Sequence, residues 1–571
     1  MPTLNFNLKK LMKLSRVYDY DKLTYVIRQF KGEIKGIYGD EITVELEPDR
    51  PDIMCIEGLA RAIRNFLEIE IGHGYLNRVI IEQPILEVYV KDVKVRPYIA
   101  CAVIKGIDID DEFIKDLMNM QEALHITLGR NRRKVAIGIH DYDKIYPPIT
   151  YTEVDINEKM IPLDVFEEMS LREILFKHPK GKIYGKLLEG ALKYPVYMDA
   201  KGIFSFPPII NGERTRVTES TKNLFIELTG IDENTVNQSL NIIVCNILER
   251  SGVMEKVILH YPTHVKITPD LNFKIMNVNV EEFNRLIGLS IDVHEAKSLL
   301  MRMGYIIDKV NMNEKLIVTK IPPYRVDILH HVDIIEDMAI AYGYDNILPE
   351  LPKLMTIGKP SPIEILENKI RELMIGMGFQ EVITFTLTNS LYQTKFMNID
   401  DFRVLKLINP VTEEYNCYRR WIIPNLLHFF SQNRHVSYPQ RIFEIGYIAI
   451  PLDNDIIVQR NLAVGISNYK ATFSEIKEVL VTLMDGLGVN VYVEESSHPS
   501  FISGRVGIVK VDNREIGLIG ELHPKVLSNF EIEIPVSIFE ITHSQPIFPQ
   551  RNSFPLTLKD KLIAKWLKLK S

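Results

Sequence analysis

Cysteine is scarce. The 571 residues hold only Cys55, Cys101, Cys245 and Cys417, far apart and with no Cys-x-x-Cys pair. That spacing suggests neither a zinc knuckle nor a disulfide framework and fits a reducing cytosol. No stretch approaches the roughly 18 apolar residues of a spanning helix. The opening MPTLNFNLKKLMKL is broken by Asn and Lys and lacks a signal-type apolar run. The expectation is a soluble, cytoplasmic protein with no membrane partner. Also missing are a Gly-x-x-x-x-Gly-Lys-Ser/Thr phosphate loop, a His-Glu-x-x-His helix and a Gly-x-Ser-x-Gly elbow. Their absence removes common nucleotide-switch and hydrolase readings. There is no excess of basic residues either: 68 Lys and Arg against 75 Asp and Glu give 68 − 75 = −7. Nucleic acid as the sole partner is disfavoured, although a local basic patch can still bind it.

What is present is the balance of a globular protein, 46% hydrophobic and 25% charged. A single core stops growing near roughly 250–300 residues, so several domains are expected. Composition breaks place them at 1–85, 86–270, 271–347 and 348–545, with a tail at 546–571. In the first, NLKKLMKLSR and DKLTYVIRQF read as helices and EITVELE as a strand. IEGLARAIRNFLEIEIG reads as a helix, because Ile56, Leu59, Ala60, Ile63 and Leu67 recur at helical spacing. The second opens on alternating strands, ILEVYVKDVKV and YIACAVIKGI. It continues as mixed α/β, through a turn-rich SFPPIING at 205–212 and a long apolar helix, TVNQSLNIIVCNILERSG. A Pro-rich linker at 348–362 leads into a helix, IEILENKIRELMIGMG, stopped by Gly376 and Gly378. Strand-like EVITFTLT, RIFEIGYIAI and VGIVKVDNREIGLIGE follow. The tail carries six Lys or Arg and one acid over 551–571, 6 − 1 = +5, with Leu562, Ile563, Trp566 and Leu567 on one side of a possible amphipathic helix. It reads either as a partner- or RNA-binding end or as a solvated terminus.

The densest charge pattern is at 327–337, where Asp327, Asp333, Glu336 and Asp337 fall within eleven residues. Positions 333, 336 and 337 share one face of a helix. Hard cations take such oxygen ligands. Acids at a helix start, with Asp333 and Glu336 spaced as a capping box, give a second reading. Arg325 could neutralise the same carboxylates. GIHDYDKI at 138–145 places His140 beside Asp141, after Arg132, Arg133 and Lys134. Such a pair serves as a core or surface contact or as a catalytic one.

Three stretches together resemble the β chains of phenylalanyl-tRNA synthetases of the archaeal and eukaryotic type. They are ELEPDRPDIMCIEGLARAIR at 45–64, IPPYRVDILHHVDIIEDMAIAYGYDNI at 321–347, and HPSFISGR at 498–505 with IGLIGELHPKVL and IPVSIFEI after it. The resemblance covers about residues 1–545. It implies an α+β multidomain chain: a mixed α/β editing domain, a small helical, winged-helix-like domain, and a class II synthetase-like antiparallel sheet with helices. It implies a ligase assembly with an α subunit, as (αβ)₂, that charges the tRNA for phenylalanine with ATP. It also implies Mg²⁺ at Asp327, Asp333, Glu336 and Asp337, shared with the α subunit. The editing domain of the family hydrolyses mischarged tyrosyl-tRNA. His140, Asp141, Asn211, Glu213, Thr221 and Asn223 are the polar residues near turns here that could read its ester, the last two inside a strand-like TKNLFIELTG. A working class II site needs one Arg for the ATP α-phosphate and a late Gly-rich strand ending in Arg. Arg419 and Arg420 lie near the first position, with RIFEIG as return strand. The late pattern is absent, its nearest relative being GLIG at 517–520. The adenylation chemistry is therefore expected in the α subunit. A tRNA-binding scaffold without active editing and a free-standing aminoacyl-tRNA hydrolase are the alternatives.

Overall fold

The computed structural model describes residues 2–71, 86–352, 356, 358–400, 403–453 and 455–543. The basic amphipathic reading of 551–571 lies outside the described residues. Among these no helix is long and apolar enough to cross a membrane. The chain forms two compact units, residues 1–351 and 352–571.

The first unit begins with strand Thr3–Asn7, helices α1 (Leu8–Ser15) and α2 (Tyr20–Gln29), and the strands Glu33–Tyr38 and Glu41–Glu45. Glu41–Glu45 is the central strand of this small sheet. Asn7 and Asp19 cap the two helices by accepting from the N–H three residues on. Helix α3 (Ile56–Phe66) buries Leu59, Ala60 and Ile63 completely, as their spacing demands.

A larger sheet follows, in which Tyr98–Lys105 runs between the antiparallel strands Leu224–Gly230 and Val253–His260. Side chains alternate across it. Ala100, Ala102 and Ile104 face α4 (Asp111–Ile126) and α7 (Glu233–Ile247), while Ile99, Cys101 and Val103 enter a second core on the other face. Beyond that face, α5 (Leu171–Lys177) and α6 (Pro179–Tyr184) enclose a satellite core around Leu171, Ile174 and Phe206. Residues 271–347 carry α8 (Val280–Ile287), α9 (Val293–Arg302) and α10 (His331–Tyr342) on a three-stranded antiparallel sheet, Lys274–Asn279, Ile306–Asn311 and Leu316–Ile321. Leu59, Ile63 and Phe66 of α3 share one core with Phe283, Leu300 and Met338 of this region. The two regions, distant in sequence, fold as one body.

The second unit is a seven-stranded sheet, antiparallel except where the short edge strand Gln380–Glu381 runs parallel to Gln440–Pro451. α11 (Pro362–Gly376) and α14 (Phe473–Gly486) cover one face. α12 (Ser390–Gln393), α13 (Ile423–Gln432) and α15 (Pro524–Asn529) lie with the other. Gly378, at φ +82, permits the turn that ends α11. EVITFTLT is not one strand: only its first and last residues pair, within Gln380–Glu381 and Leu387–Thr388. The carbonyls between them accept instead from the Asn425 side chain, at Phe385, and the Arg419 N–H, at Thr386.

Candidate functional site

Two cavities in the first unit take in some of the residues singled out from the sequence. The smaller, about 290 Å³, is lined by all four carboxylates, Asp327, Asp333, Glu336 and Asp337, together with Lys31, Asp49 and Arg50. Each carboxylate already has a partner. Arg325, almost fully buried, donates from Nε and Nη2 to Asp327 and from Nη2 to Asp337. Asp337 also accepts from the Tyr305 hydroxyl. Lys31 bridges Asp49 at 2.7 Å and Glu336 at 2.9 Å. Asp333 Oδ2 accepts from the N–H groups of Leu329 and His330 at 2.8 and 2.7 Å. The helix thus starts two residues before Asp333. His330 is the N-cap and Asp333 the reciprocal N3 partner, so the box expected between Asp333 and Glu336 lies one turn earlier.

Burial pushes the Asp337 carboxyl up against the pull of Arg325. Arg325 itself is desolvated yet held well above its usual range by Asp327 and Asp337. Lys31 loses hydration but stays above the usual lysine range through Asp49 and Glu336. Among the described residues no three His, Cys, Asp or Glu stand in metal-holding geometry. The donor set nevertheless suits Mg²⁺, which takes one or two carboxylates and keeps several waters. Asp333 and Glu336, away from Arg325, are the carboxylates open to that role.

The larger cavity holds about 610 Å³ between α4, the 205–217 turns and the α5–α6 segment. Apolar walls come from Leu117, Met118, Ile137 and Ile139. Its polar floor is a buried network. Ser205 Oγ donates to Glu227 Oε1 at 2.9 Å and contacts Asn211 Oδ1 at 3.4 Å, and Asn211 Nδ2 donates to the Ile139 carbonyl at 3.3 Å. His140, fully buried, pairs Nδ1 with Thr215 Oγ1 at 2.8 Å and brings Nε2 to 3.8 Å from Glu227 Oε1. His140 Nε2 and Glu227 Oε2 have no hydrogen-bond partner among the described residues. A Cβ at position 138 would overlap Glu227 Oε1 and lie 3.0 Å from His140 Nε2, so glycine is what leaves this corner open.

Of the six candidates, Asn211 lines the cavity and His140 stands behind its wall through Thr215. The others serve nearby loops. Thr221 Oγ1 donates to Asp141 at 3.0 Å. Asn223 holds Asp143 and the Gly106 N–H. Glu213 pairs with Arg216 on the rim and accepts from the Asp164 N–H. Thr221 and Asn223 precede the strand, which begins at Leu224. Sequence reasoning passed over Ser205, Thr215 and Glu227. The signal for Glu227 was there: a lone acid in LFIELTG, every residue of which is buried.

In the second unit Arg419 is 1% exposed, with its guanidinium spent on Glu444 at 2.5 Å, Thr384 at 3.0 Å and the Tyr447 carbonyl at 2.8 Å. It is a core ion pair, with Nε and Nη1 committed to these acceptors. Arg420 instead donates to the Arg403 carbonyl at 2.9 Å.

Comparison with known proteins decides the family. A relative from Archaeoglobus fulgidus, described as a phenylalanine–tRNA ligase β subunit, is 43% identical over 541 residues, 93% of this chain and 96% of its own length. This chain belongs to the phenylalanine–tRNA ligase β subunit family. The family's counterpart in Pyrococcus furiosus is 43% identical over 502 residues, 87% of this chain and 89% of that one. Three domain models match in order: a B3/4 domain at 90–246, a tRNA synthetase B5 domain at 276–344, and the phenylalanyl-tRNA synthetase β chain CLM domain at 347–543. The larger cavity thus falls within the B3/4 match and the carboxylate helix within the B5 match. A solved N-terminal fragment of the Pyrococcus horikoshii family member superposes with a TM-score of 0.57 at 35% identity, covering 60% of this chain and all of that one.

Proposed function

We propose that this chain works as the β subunit of a phenylalanine–tRNA ligase. An α subunit supplies adenylation, tRNA is the shared substrate, and the 610 Å³ cavity hydrolyses tyrosine mistakenly esterified to that tRNA. The observation that carries the editing reading is the unpartnered Glu227 Oε2 on the floor of a pocket whose walls include Leu117, Met118, Ile137 and Ile139. A tyrosine side chain would lay its ring on Ile137 and Ile139 and donate its phenolic O–H to that oxygen. Phenylalanine would leave the carboxylate desolvated and unpaired. Sites built to pair a hydroxyl reject the analogue lacking it by roughly 10⁴–10⁵. Ser205 holds Glu227 in place and Asn211 contacts Ser205, while His140 Nε2 lies 3.8 Å from Glu227 Oε1.

The buried Arg419–Glu444 pair supports placing adenylation outside this chain, because it commits the arginine nearest the α-phosphate position to a carboxylate of the same unit. Asp333 and Glu336 would hold Mg²⁺ at the open side of the smaller cavity, with Asp327 and Asp337 kept on Arg325. The ion would supply positive charge to that wall. An (αβ)₂ assembly in the cytoplasm completes this reading.

The test is deacylation of tyrosyl-tRNA for phenylalanine by the assembled ligase. Glu227→Gln and Ser205→Ala should slow it by at least about a hundredfold, in line with the loss of one key polar contact, while phenylalanine charging is kept. Unchanged deacylation in both variants would remove the editing assignment.

A further inference from the structure

We propose that a hollow on the second unit is a binding site for a phosphate group, with the His498 and His523 rings among its donors. The two histidines come from stretches that neither cavity of the first unit uses, HPSFISGR at 498–505 and ELHPKVL at 521–527. Each opens a His-Pro turn. Strands Phe501–Val511 and Arg514–Leu522 pair antiparallel with Phe501 opposite Leu522, and that register sets the two turns side by side. Ser500 joins them. Its N–H donates to His498 Nδ1 at 3.3 Å, and its carbonyl accepts from the His523 N–H at 2.9 Å. The Ser500 side chain is fully buried and donates to the Met397 carbonyl, which fixes the joint. His523 Nδ1 accepts in turn from the Lys525 N–H at 3.1 Å.

These bonds decide what the rings present outward. A ring nitrogen that accepts an N–H carries no proton itself, so the neutral ring holds its proton on Nε2. Both rings therefore have Nε2 as a donor, and neither Nε2 has a hydrogen-bond partner among the described residues. The His498 ring packs edge-on against Trp421 and Phe501, with centroids 5.9 and 5.4 Å away. Burial there holds its pKa below the ordinary histidine value, which keeps it a neutral donor near pH 7. The hollow, about 670 Å³, is lined by both histidines, by the exposed Ser497 and Ser503, and by Phe501 and Ile502. No Asp or Glu is among its described lining residues. Two imidazole N–H groups and two hydroxyls thus offer four donors with no carboxylate opposing an anion. A phosphate has oxygens enough to accept from all four, and such bonds to a charged acceptor are the strong ones. A metal ion suits the site badly. It would need the Nε2 lone pairs, hence a proton on each Nδ1 and the loss of both backbone hydrogen bonds. Backbone donors at the start of α15 are already spent, Lys525 on the His523 ring and Val526 on the His523 carbonyl at 2.9 Å. Phe501 and Ile502 give the hollow an apolar side, where the remainder of an organic phosphate can lie.

The test is equilibrium dialysis of the full-length chain, alone and assembled with the α subunit, against radiolabelled inorganic phosphate and, separately, AMP. The quantity read is the ligand held by the wild type and not by the His498→Asn/His523→Asn double variant, so binding elsewhere in the assembly cancels. Asn keeps an acceptor for the backbone N–H and removes the outward donor, whereas Gln places a donor near the Nε2 position. Each single Asn variant should bind at least about tenfold more weakly, the effect of one hydrogen bond to a charged group. The matching Gln variants should bind more tightly than the Asn ones, and Ser503→Ala, at an exposed position, should weaken binding in the same direction. Equal affinity for phosphate and AMP identifies the free ion as ligand, and tighter AMP identifies an organic phosphate; either result supports the site. Equal binding by wild type and double variant would overturn it. So would displacement by acetate as effective as displacement by sulfate, which would make the hollow a general anion surface. Loss of the binding on assembly would overturn it too, by making the hollow a subunit contact.

Discussion

The Arg61 guanidinium carbon sits 3.7 Å from the centroid of the Tyr324 ring. This joins α3 to the approach of the carboxylate helix. Arg61 also reaches Glu249 at 3.4 Å and Asp52 at 3.9 Å, while burial pushes the Tyr324 phenol up to about 12. The ring is thus a neutral face for a permanently charged group. Arg61→Ala leaves Asp52 to Arg50 and Glu249 to Arg64, and should destabilise the first unit by about 2–3 kcal/mol, within the range for a hydrogen bond to a charged group. Tyr324→Leu keeps the ion pairs and should cost about 1–2 kcal/mol. Urea unfolding of both variants checks this. Equal losses would assign the stabilisation to the ring and not to the charges.

Gly138→Ala should damage the larger cavity without touching its polar groups chemically. The new methyl would overlap Glu227 Oε1 and press on His140 Nε2. The Glu227 side chain can turn away, so the fold should survive with a melting temperature close to that of the wild type. Deacylation of tyrosyl-tRNA should fall at least about tenfold, because a displaced acceptor no longer meets the phenolic hydroxyl. Phenylalanine charging should be unaffected. Full deacylation activity in this variant would mean that the corner beside Glu227 plays no part.

The second unit should carry a pH dependence traceable to one carboxyl. Glu540 is buried and raised to about 6, against an ordinary value of 4.5, although it accepts from Asn461 and from the Ile422 and Ile423 N–H groups. The folded state therefore holds this proton more tightly than the unfolded chain does. Its stabilising contribution is complete below pH 4.5 and is lost as pH rises through 6. The difference amounts to about 2 kcal/mol. Glu540→Gln should remove that dependence. The gap in unfolding free energy between variant and wild type should shift in the variant's favour by about this amount between pH 4 and pH 8. A gap that stays constant with pH would show that Glu540 titrates normally.

Much of the architecture was legible because it follows from periodicity. Ile56, Leu59, Ala60 and Ile63 recur every three or four residues, and α3 buries them all. The strand YIACAVIK alternates between two cores. EVITFTLT shows where alternation misleads. Ile383 and Phe385 match a strand pattern, yet stand 89% and 72% exposed, because side chains elsewhere claim the backbone there. The cavity floor was harder to read. Polar residues near turns invite a functional reading, but Asp141, Thr221 and Asn223 take part in hydrogen bonds that tie one loop to another. Glu227 and Ser205 meet on the cavity floor because two separate strands bring them within 2.9 Å of each other, and no local pattern announces such a meeting. The shared core of α3 and the α8–α10 region is of the same kind.

The carboxylate cavity admits a direct test between metal and ion pairing. Asp333→Asn and Glu336→Gln keep size and remove charge. If ion pairing is the whole role, Glu336→Gln frees Lys31 from one of its two partners, an exposed bridge worth at most about 1 kcal/mol. Asp333→Asn would weaken the N-terminal cap of α10, through the acceptor for Leu329 and His330, by about 1 kcal/mol. Neither change would then alter any response to Mg²⁺. If these two carboxylates hold the ion, each variant should weaken assembly with the α subunit and lower its Mg²⁺ sensitivity, and the double variant should abolish that sensitivity. Arg325→Met separates the two ideas further. It strips the cation from Asp327 and Asp337, so ion pairing alone predicts a loss of about 3–5 kcal/mol. A bound ion predicts that added Mg²⁺ recovers part of that loss, because a divalent cation can neutralise the same pair. Sedimentation analysis of the assembly, with and without chelator, reads all of these variants. Wild-type assembly indifferent to chelator, together with no Mg²⁺ recovery of Arg325→Met, would leave Arg325, Lys31 and Arg50 as the counter-charges of this wall.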